Sequence, residues 1–123
     1  MFKSIRSLVV YVSDMEKAKK FYTEILGFEV TADLTPTLCF LNSKSGKIPI
    51  YLEGGQKVSS MDNQTCRLSF FLEAEKAASE TYAVLKKAGV KLLQAEPEPV
   101  ADDTVCFQFQ DPDGNIIEVS GKP

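Results

Sequence analysis

The sequence predicts an α+β fold: two βαβββ modules in tandem, each a curved mixed sheet with one helix packed on its convex face. Three observations lead there. The chain repeats itself, each copy opens with a strand-like segment followed by a helical apolar stripe, and each copy closes with short extended segments separated by turn residues. At an offset of 60 residues Ser7–Val12 (SLVVYV) matches Arg67–Leu72 (RLSFFL), Ala18 matches Ala78, Tyr22 matches Tyr82 and Ile25 matches Leu85. At an offset of 67 Thr37-Leu-Cys-Phe40 matches Thr104-Val-Cys-Phe107, and Ile50-Tyr-Leu-Glu-Gly54 matches Ile117-Glu-Val-Ser-Gly121. The first module is expected over about residues 1–54 and the second over 66–121, within one domain of 123 residues.

The elements follow in order. SLVVYV and RLSFFL are rich in β-branched and aromatic residues and read as the opening strands. A helix comes next in each copy. In the first, Ala18, Phe21, Tyr22, Ile25 and Leu26 form one apolar stripe, Asp14 is the N-cap and Gly27 takes the left-handed position beyond the end. The second helix keeps Ala78, Tyr82 and Leu85 on its stripe and stops at Gly89. Extended segments are expected near Glu29–Ala32, Thr37–Leu41 and Ile48–Glu53, and near Lys91–Ala95, Thr104–Gln110 and Asn115–Ser120. Asp111-Pro112-Asp113-Gly114 is a hairpin turn, with proline where φ is near −65° and glycine where φ is positive. Asn42–Gly46 is its counterpart. Gly54–Thr65 is polar and aperiodic, hence a linker, and Gln94–Asp103, with two prolines and four carboxylates, reads as an exposed acidic loop.

Composition excludes whole classes of chemistry. The chain contains no histidine, which removes imidazole bases, Ser-His and Cys-His nucleophile pairs and most transition-metal sites. Fourteen basic against seventeen acidic side chains give no electrostatic footprint for nucleic acid. Cys39, Cys66 and Cys106 are odd in number and lack C-x-x-C spacing, so they read as small buried hydrophobes in a reducing compartment. The apolar run Leu8–Val12 is too short for a signal peptide or a membrane span. A cytoplasmic protein without membrane or nucleic-acid partners is expected.

Strand alternation separates a helix-covered face from a mixed one. Leu8, Val10, Val12, Ile50 and Leu52 are uniformly apolar, as are Leu68, Phe70, Leu72, Ile117 and Val119. The opposite set mixes aromatic and polar groups, as a ligand cavity does. On it the repeat singles out four positions, with Ser7 equivalent to Arg67 and Tyr51 equivalent to Glu118. Glu53, Tyr11, Phe71, Phe107 and Phe109 complete the expected ligand-binding residues. Arg67 and Glu118 are the sharpest pair: the arginine serves as an anchor for a carboxylate or phosphate oriented by the glutamate, or the two fill the site as a salt bridge.

The opening SLVVYVSD, the helix ending FYTEILGF (Phe21–Phe28) and DPDGNIIEVS (Asp111–Ser120) resemble the glyoxalase/bleomycin-resistance/dioxygenase superfamily, also called vicinal oxygen chelate, across nearly the whole chain. The resemblance implies a cavity in each sheet, a homodimer and commonly a divalent metal. The positions of the metal ligands fall on Ser7, Arg67, Tyr51 and Glu118, where only Glu118 keeps the ligand type; Glu53, two residues from Tyr51, shares its face. Arg67 is protonated and has no acceptor, so it opposes a cation there. Neither metal nor cofactor is therefore expected. The function expected is metal-independent binding of a small molecule, sequestering a drug or metabolite. The alternative is a lyase, isomerase or dioxygenase with a modified site that uses Glu118 as general base.

Overall fold

The computed structural model describes residues 1–55 and 70–123. It divides into two compact units, Met1–Ser60 and Met61–Pro123. In the first unit strand β1 (Leu8–Tyr11) leads into helix α1 (Met15–Lys20), which widens into a π-helical turn over Phe21–Ile25. Strands β2 (Glu29–Leu34), β3 (Leu38–Asn42) and β4 (Ile50–Glu53) follow, and the sheet order is β1-β4-β3-β2. β1 and β4 run parallel while the other pairs are antiparallel, so the sheet is mixed as expected. The second unit has β5 (Phe70–Glu73), α2 (Ala78–Lys87), β6 (Lys91–Leu92), β7 (Glu98–Ala101), β8 (Thr104–Gln110) and β9 (Ile116–Gly121). Its sheet is ordered β5-β9-β8-β6, with β7 also pairing β8, and β5 and β9 are the parallel pair. Two tandem βαβββ modules are thus present, the second carrying β7 as an additional strand.

Local chemistry fixes the helix ends. The Asp14 carboxylate accepts from the Lys17 N–H at 3.1 Å, the N-cap contact expected for an extended aspartate. Gly27 and Gly89 both stand at φ +78°, the left-handed conformation that ends each helix. The first helix departs from regular α geometry. The Thr23 hydroxyl donates to the Lys19 carbonyl at 2.7 Å, and the Leu26 N–H reaches back to Phe21 O at 3.1 Å. Phe21 and Tyr22 are both buried there, edge to face at 5.5 Å.

The helices cover one face of each sheet. Val10, Val12, Cys39, Leu41, Ile50 and Leu52 are buried on the α1 side, and Val105, Phe107, Phe109, Ile117 and Val119 on the α2 side. Tyr82 packs edge to face on Phe107 at 5.3 Å, and its hydroxyl is shared between the carbonyls of Gln94 and Ala95 at 2.8 and 2.7 Å. Gly54 and Gly121, at the ends of β4 and β9, are sites of close approach: a Cβ on Gly54 would collide with the Pro36 carbonyl, and one on Gly121 would stand 3.1 Å from the Ala74 Cβ.

The expected acidic loop over Gln94–Asp103 is corrected by β7, which pairs with β8 from Glu98 to Ala101. An edge position tolerates Pro99, because no inner neighbour needs its missing N–H. The tight turn after it uses Asp103 at φ 56°, a left-handed conformation that aspartate accepts. All four β7 residues remain exposed. The linker expected over Gly54–Thr65 lies outside the described residues from residue 56 onward, as does Cys66.

Candidate functional site: the sheet faces away from the helices

The ladder registers lay out the helix-distal face of the first sheet in rows. One row is Ala32, Phe40, Tyr51 and Val9; the next is Leu34, Leu38, Glu53 and Tyr11. Ser7 stands just before β1 and is half-buried; the Leu8 N–H beside it donates to the Pro49 carbonyl at 3.1 Å. The Phe40 and Tyr51 rings are neighbours at 5.2 Å, tilted by 37°. Tyr11 is 53% exposed, while Glu53 is half-buried. This face is aromatic, with a carboxylate in its outer row.

The corresponding face of the second sheet is more polar. Its central row is Phe71, Glu118 and Gln108, and the next is Glu73, Ser120, Cys106 and Glu98. Phe71 is 61% exposed. Gln108 is held by Gln94, whose amide accepts from the Gln108 N–H at 2.7 Å and donates to the Gln108 side-chain oxygen at 3.2 Å. The Cys106 thiol is buried and pushed up from its ordinary pKa, first by desolvation and then by the Glu118 charge. Both effects favour the protonated thiol over the nucleophilic thiolate.

Of the expected site residues, Tyr11, Tyr51 and Glu53 share one face of the first sheet, and Phe71 and Glu118 share one face of the second. Arg67 lies outside the described residues. Phe107 and Phe109 are corrected: they pair with Val119 and Ile117, lie under α2 at 1% and 0% exposure, and belong to the core. The reason is a slip of one residue. Leu41 pairs with Ile50 across the first hairpin and Phe109 with Ile117 across the second, so the first connection is one residue longer. The match between Thr37–Phe40 and Thr104–Phe107 therefore joins residues on opposite faces. Phe40, Gln108 and Cys106 are the face residues that the motif match concealed.

The opening offset also shifts. Leu8 pairs with Ile50 and Phe70 pairs with Ile117, so with the closing strands aligned at 67 the opening strands align at 62 rather than 60. Gly27 and Gly89 stand 62 apart as well. At that offset Ser7 no longer aligns with Arg67, and a two-residue slip leaves the described opening-strand residues on their expected face.

A surface groove of about 490 Å³ runs along the solvent side of α1, lined by Lys17, Lys19, Lys20 and neighbouring residues. Lys19 there bridges Glu16 at 3.4 Å and Asp33 at 3.2 Å. The Asp33 carboxyl is held below its ordinary pKa, first by hydrogen bonds from Thr35. These are solvent-facing charges satisfied by one another, on the side of the sheet away from the mixed face.

The profile of the Glyoxalase/Bleomycin resistance protein/Dioxygenase superfamily matches residues 4–119. The chain belongs to this superfamily. It is similar to the uncharacterized protein YetH of Bacillus subtilis (strain 168), at 33% identity over 119 residues covering 95% of this chain and 97% of the relative. Among solved structures it resembles lactoylglutathione lyase from Agrobacterium tumefaciens, with a TM-score of 0.74, 20% identity and coverage of 98% and 95% of the two chains. It also resembles the fosfomycin resistance protein FosX from Listeria monocytogenes, with a TM-score of 0.75, 18% identity and coverage of 100% and 96%. At these identities the two structures establish the fold of this superfamily member and nothing finer.

The superfamily commonly holds a divalent metal, and the described residues at the expected ligand positions, Ser7, Tyr51 and Glu118, do not by themselves make up a ligand set for one. Among the described residues no three His, Cys, Asp or Glu side chains come together as a ligand set. Ser7 and Tyr51 are neutral hydroxyls, and of the expected ligand positions Glu118 alone offers an anionic donor.

Proposed function

We propose that this superfamily member binds a small organic molecule with an aromatic or apolar body, without a metal ion, on the helix-distal faces of its sheets. The observation that carries the reading is the Phe40–Tyr51 ring pair, half-buried beside the exposed Tyr11 on a face with few polar groups. Rings in such a position offer stacking surface without a core to fill. Sequestration of a drug or metabolite needs only shape and a few polar contacts, which Ser7, Glu53, Glu118 and Arg67 are proposed to supply. The assembly proposed is a homodimer.

A protein-observed NMR titration with small phenyl and naphthyl compounds tests the reading. Shifts centred on Tyr11, Phe40 and Tyr51, lost in the Phe40→Ala, Tyr51→Ala double variant, support it. A flat titration with every compound overturns it. The second reading, an enzyme with Glu118 as general base, is favoured by the half-buried position of that carboxylate opposite Gln108. Turnover of a bound compound that Glu118→Gln abolishes while binding persists would establish it.

A further inference from the structure

In both sheets the parallel strand pair places an exposed aromatic ring directly opposite a half-buried carboxylate. Tyr11 pairs with Glu53 across β1 and β4, and Phe71 pairs with Glu118 across β5 and β9. Adjacent strands lie about 4.8 Å apart, so the ring and the carboxylate of each pair border the same patch of the helix-distal face. Among the described residues no lysine or arginine forms an ion pair with Glu53 or Glu118; the ion pairs of Lys19 go to Glu16 and Asp33 on the other side of the sheet.

We infer that each pair is a subsite for an organic cation, an amine or quaternary ammonium group attached to an apolar body. The inference rests on the small-molecule reading above and names the chemical class of the ligand. A ring attracts a cation through its quadrupole, and a carboxylate beside it supplies the full opposite charge. A partly desolvated carboxylate that forms no ion pair among the described residues is satisfied by a positive group that the ligand brings. An anionic ligand on the same patches meets like charge.

Benzyltrimethylammonium, benzyl alcohol and benzenesulfonate serve as cationic, neutral and anionic probes of one ring size, titrated by NMR into the full chain at low salt. The cation is expected to bind at least about threefold more tightly than the alcohol and the sulfonate most weakly, with the preference falling as salt is added. Glu53→Gln and Glu118→Gln each weaken cation binding about three- to tenfold and leave benzyl alcohol within about twofold. Tyr11→Leu and Phe71→Leu, which keep an apolar side chain, weaken the cation in the same direction. Equal binding of cation and alcohol, or indifference to both glutamine substitutions, overturns the inference while small-molecule binding stands. Silence from all three probes overturns both.

Discussion

Phe40 lies directly opposite Tyr51 in the β3–β4 ladder, its ring centroid 5.2 Å away, on the sheet face that α1 does not cover. Phe107, which shares the Thr-x-Cys-Phe motif with Phe40, instead lies under α2 against Tyr82. The two aromatics are expected to respond oppositely to truncation. Phe107→Ala empties a fully buried site and costs about 3–5 kcal/mol of stability. Phe40→Ala costs less than half of that and removes ligand surface. Urea denaturation alongside a ligand titration checks both; equal losses of stability would contradict the face assignment.

The turn between β8 and β9 depends on one side chain. Asp111, 5% exposed, accepts from the Asp113 N–H at 2.9 Å, the Asn115 N–H at 2.8 Å and the Asn115 side-chain amide at 2.8 Å. Asp111→Ala strands these donors and is expected to cost about 2–3 kcal/mol, read as a lower urea midpoint at unchanged slope.

Gly54→Ala is expected to be more damaging than Gly27→Ala in the space it needs, though both are unfavourable. At Gly54 the new methyl meets the Pro36 carbonyl, while Gly27 has open space and a positive φ instead. The first substitution must displace the connection between β2 and β3, at about 1–3 kcal/mol, and the second carries about 1–2 kcal/mol of backbone strain. Amide exchange separates them: Gly54→Ala opens β3 and β4 first, whereas Gly27→Ala loosens the end of the helix.

Stability should fall at alkaline pH through the buried thiols. Burial raises the pKa of both Cys39 and Cys106 above the ordinary 9.0, and the Glu118 charge adds to the effect at Cys106. The folded chain then holds these protons more firmly than the unfolded one. The contribution is fully present below pH 9.0, and it is lost as pH rises through the folded-state values. Denaturation midpoints between neutral pH and pH 10.5 check this: the Cys39→Ala, Cys106→Ala variant should show a shallower alkaline decline than the parent, whatever its starting stability.

Much of the fold was legible in the residues because each module states it in several ways at once. Asp14 as cap, Gly27 and Gly89 as helix stops, and Asp111–Gly114 as turn all stand where local chemistry places them. Faces on the opening and closing strands were legible too, since alternation survives a slip of two. Two features were not. The π-helical turn depends on Thr23 bonding back to Lys19 and on the joint burial of Phe21 and Tyr22, which a stripe of apolar residues does not encode. The strand β7 is hidden by Pro99 and by carboxylates, which signal a loop as readily as an exposed edge. For the candidate site, residue type was readable but pairing was not: that Glu53 faces Tyr11 and Glu118 faces Phe71 is a matter of register, and register is set by connection length.

The single extra residue in the connection between β3 and β4 has a consequence for how such a duplicated chain diverges. Inserting or deleting one codon in a hairpin exchanges the two sides of a whole strand, turning core aromatics outward and drawing outward groups in. Phe40 and Phe107, Cys39 and Cys106 have the pattern such an exchange would leave: identical letters on opposite faces of their sheets. A gene built from two copies of one module can thus acquire a new interior wall in a single step, without altering any side chain, while the other copy preserves the ancestral arrangement of the strand.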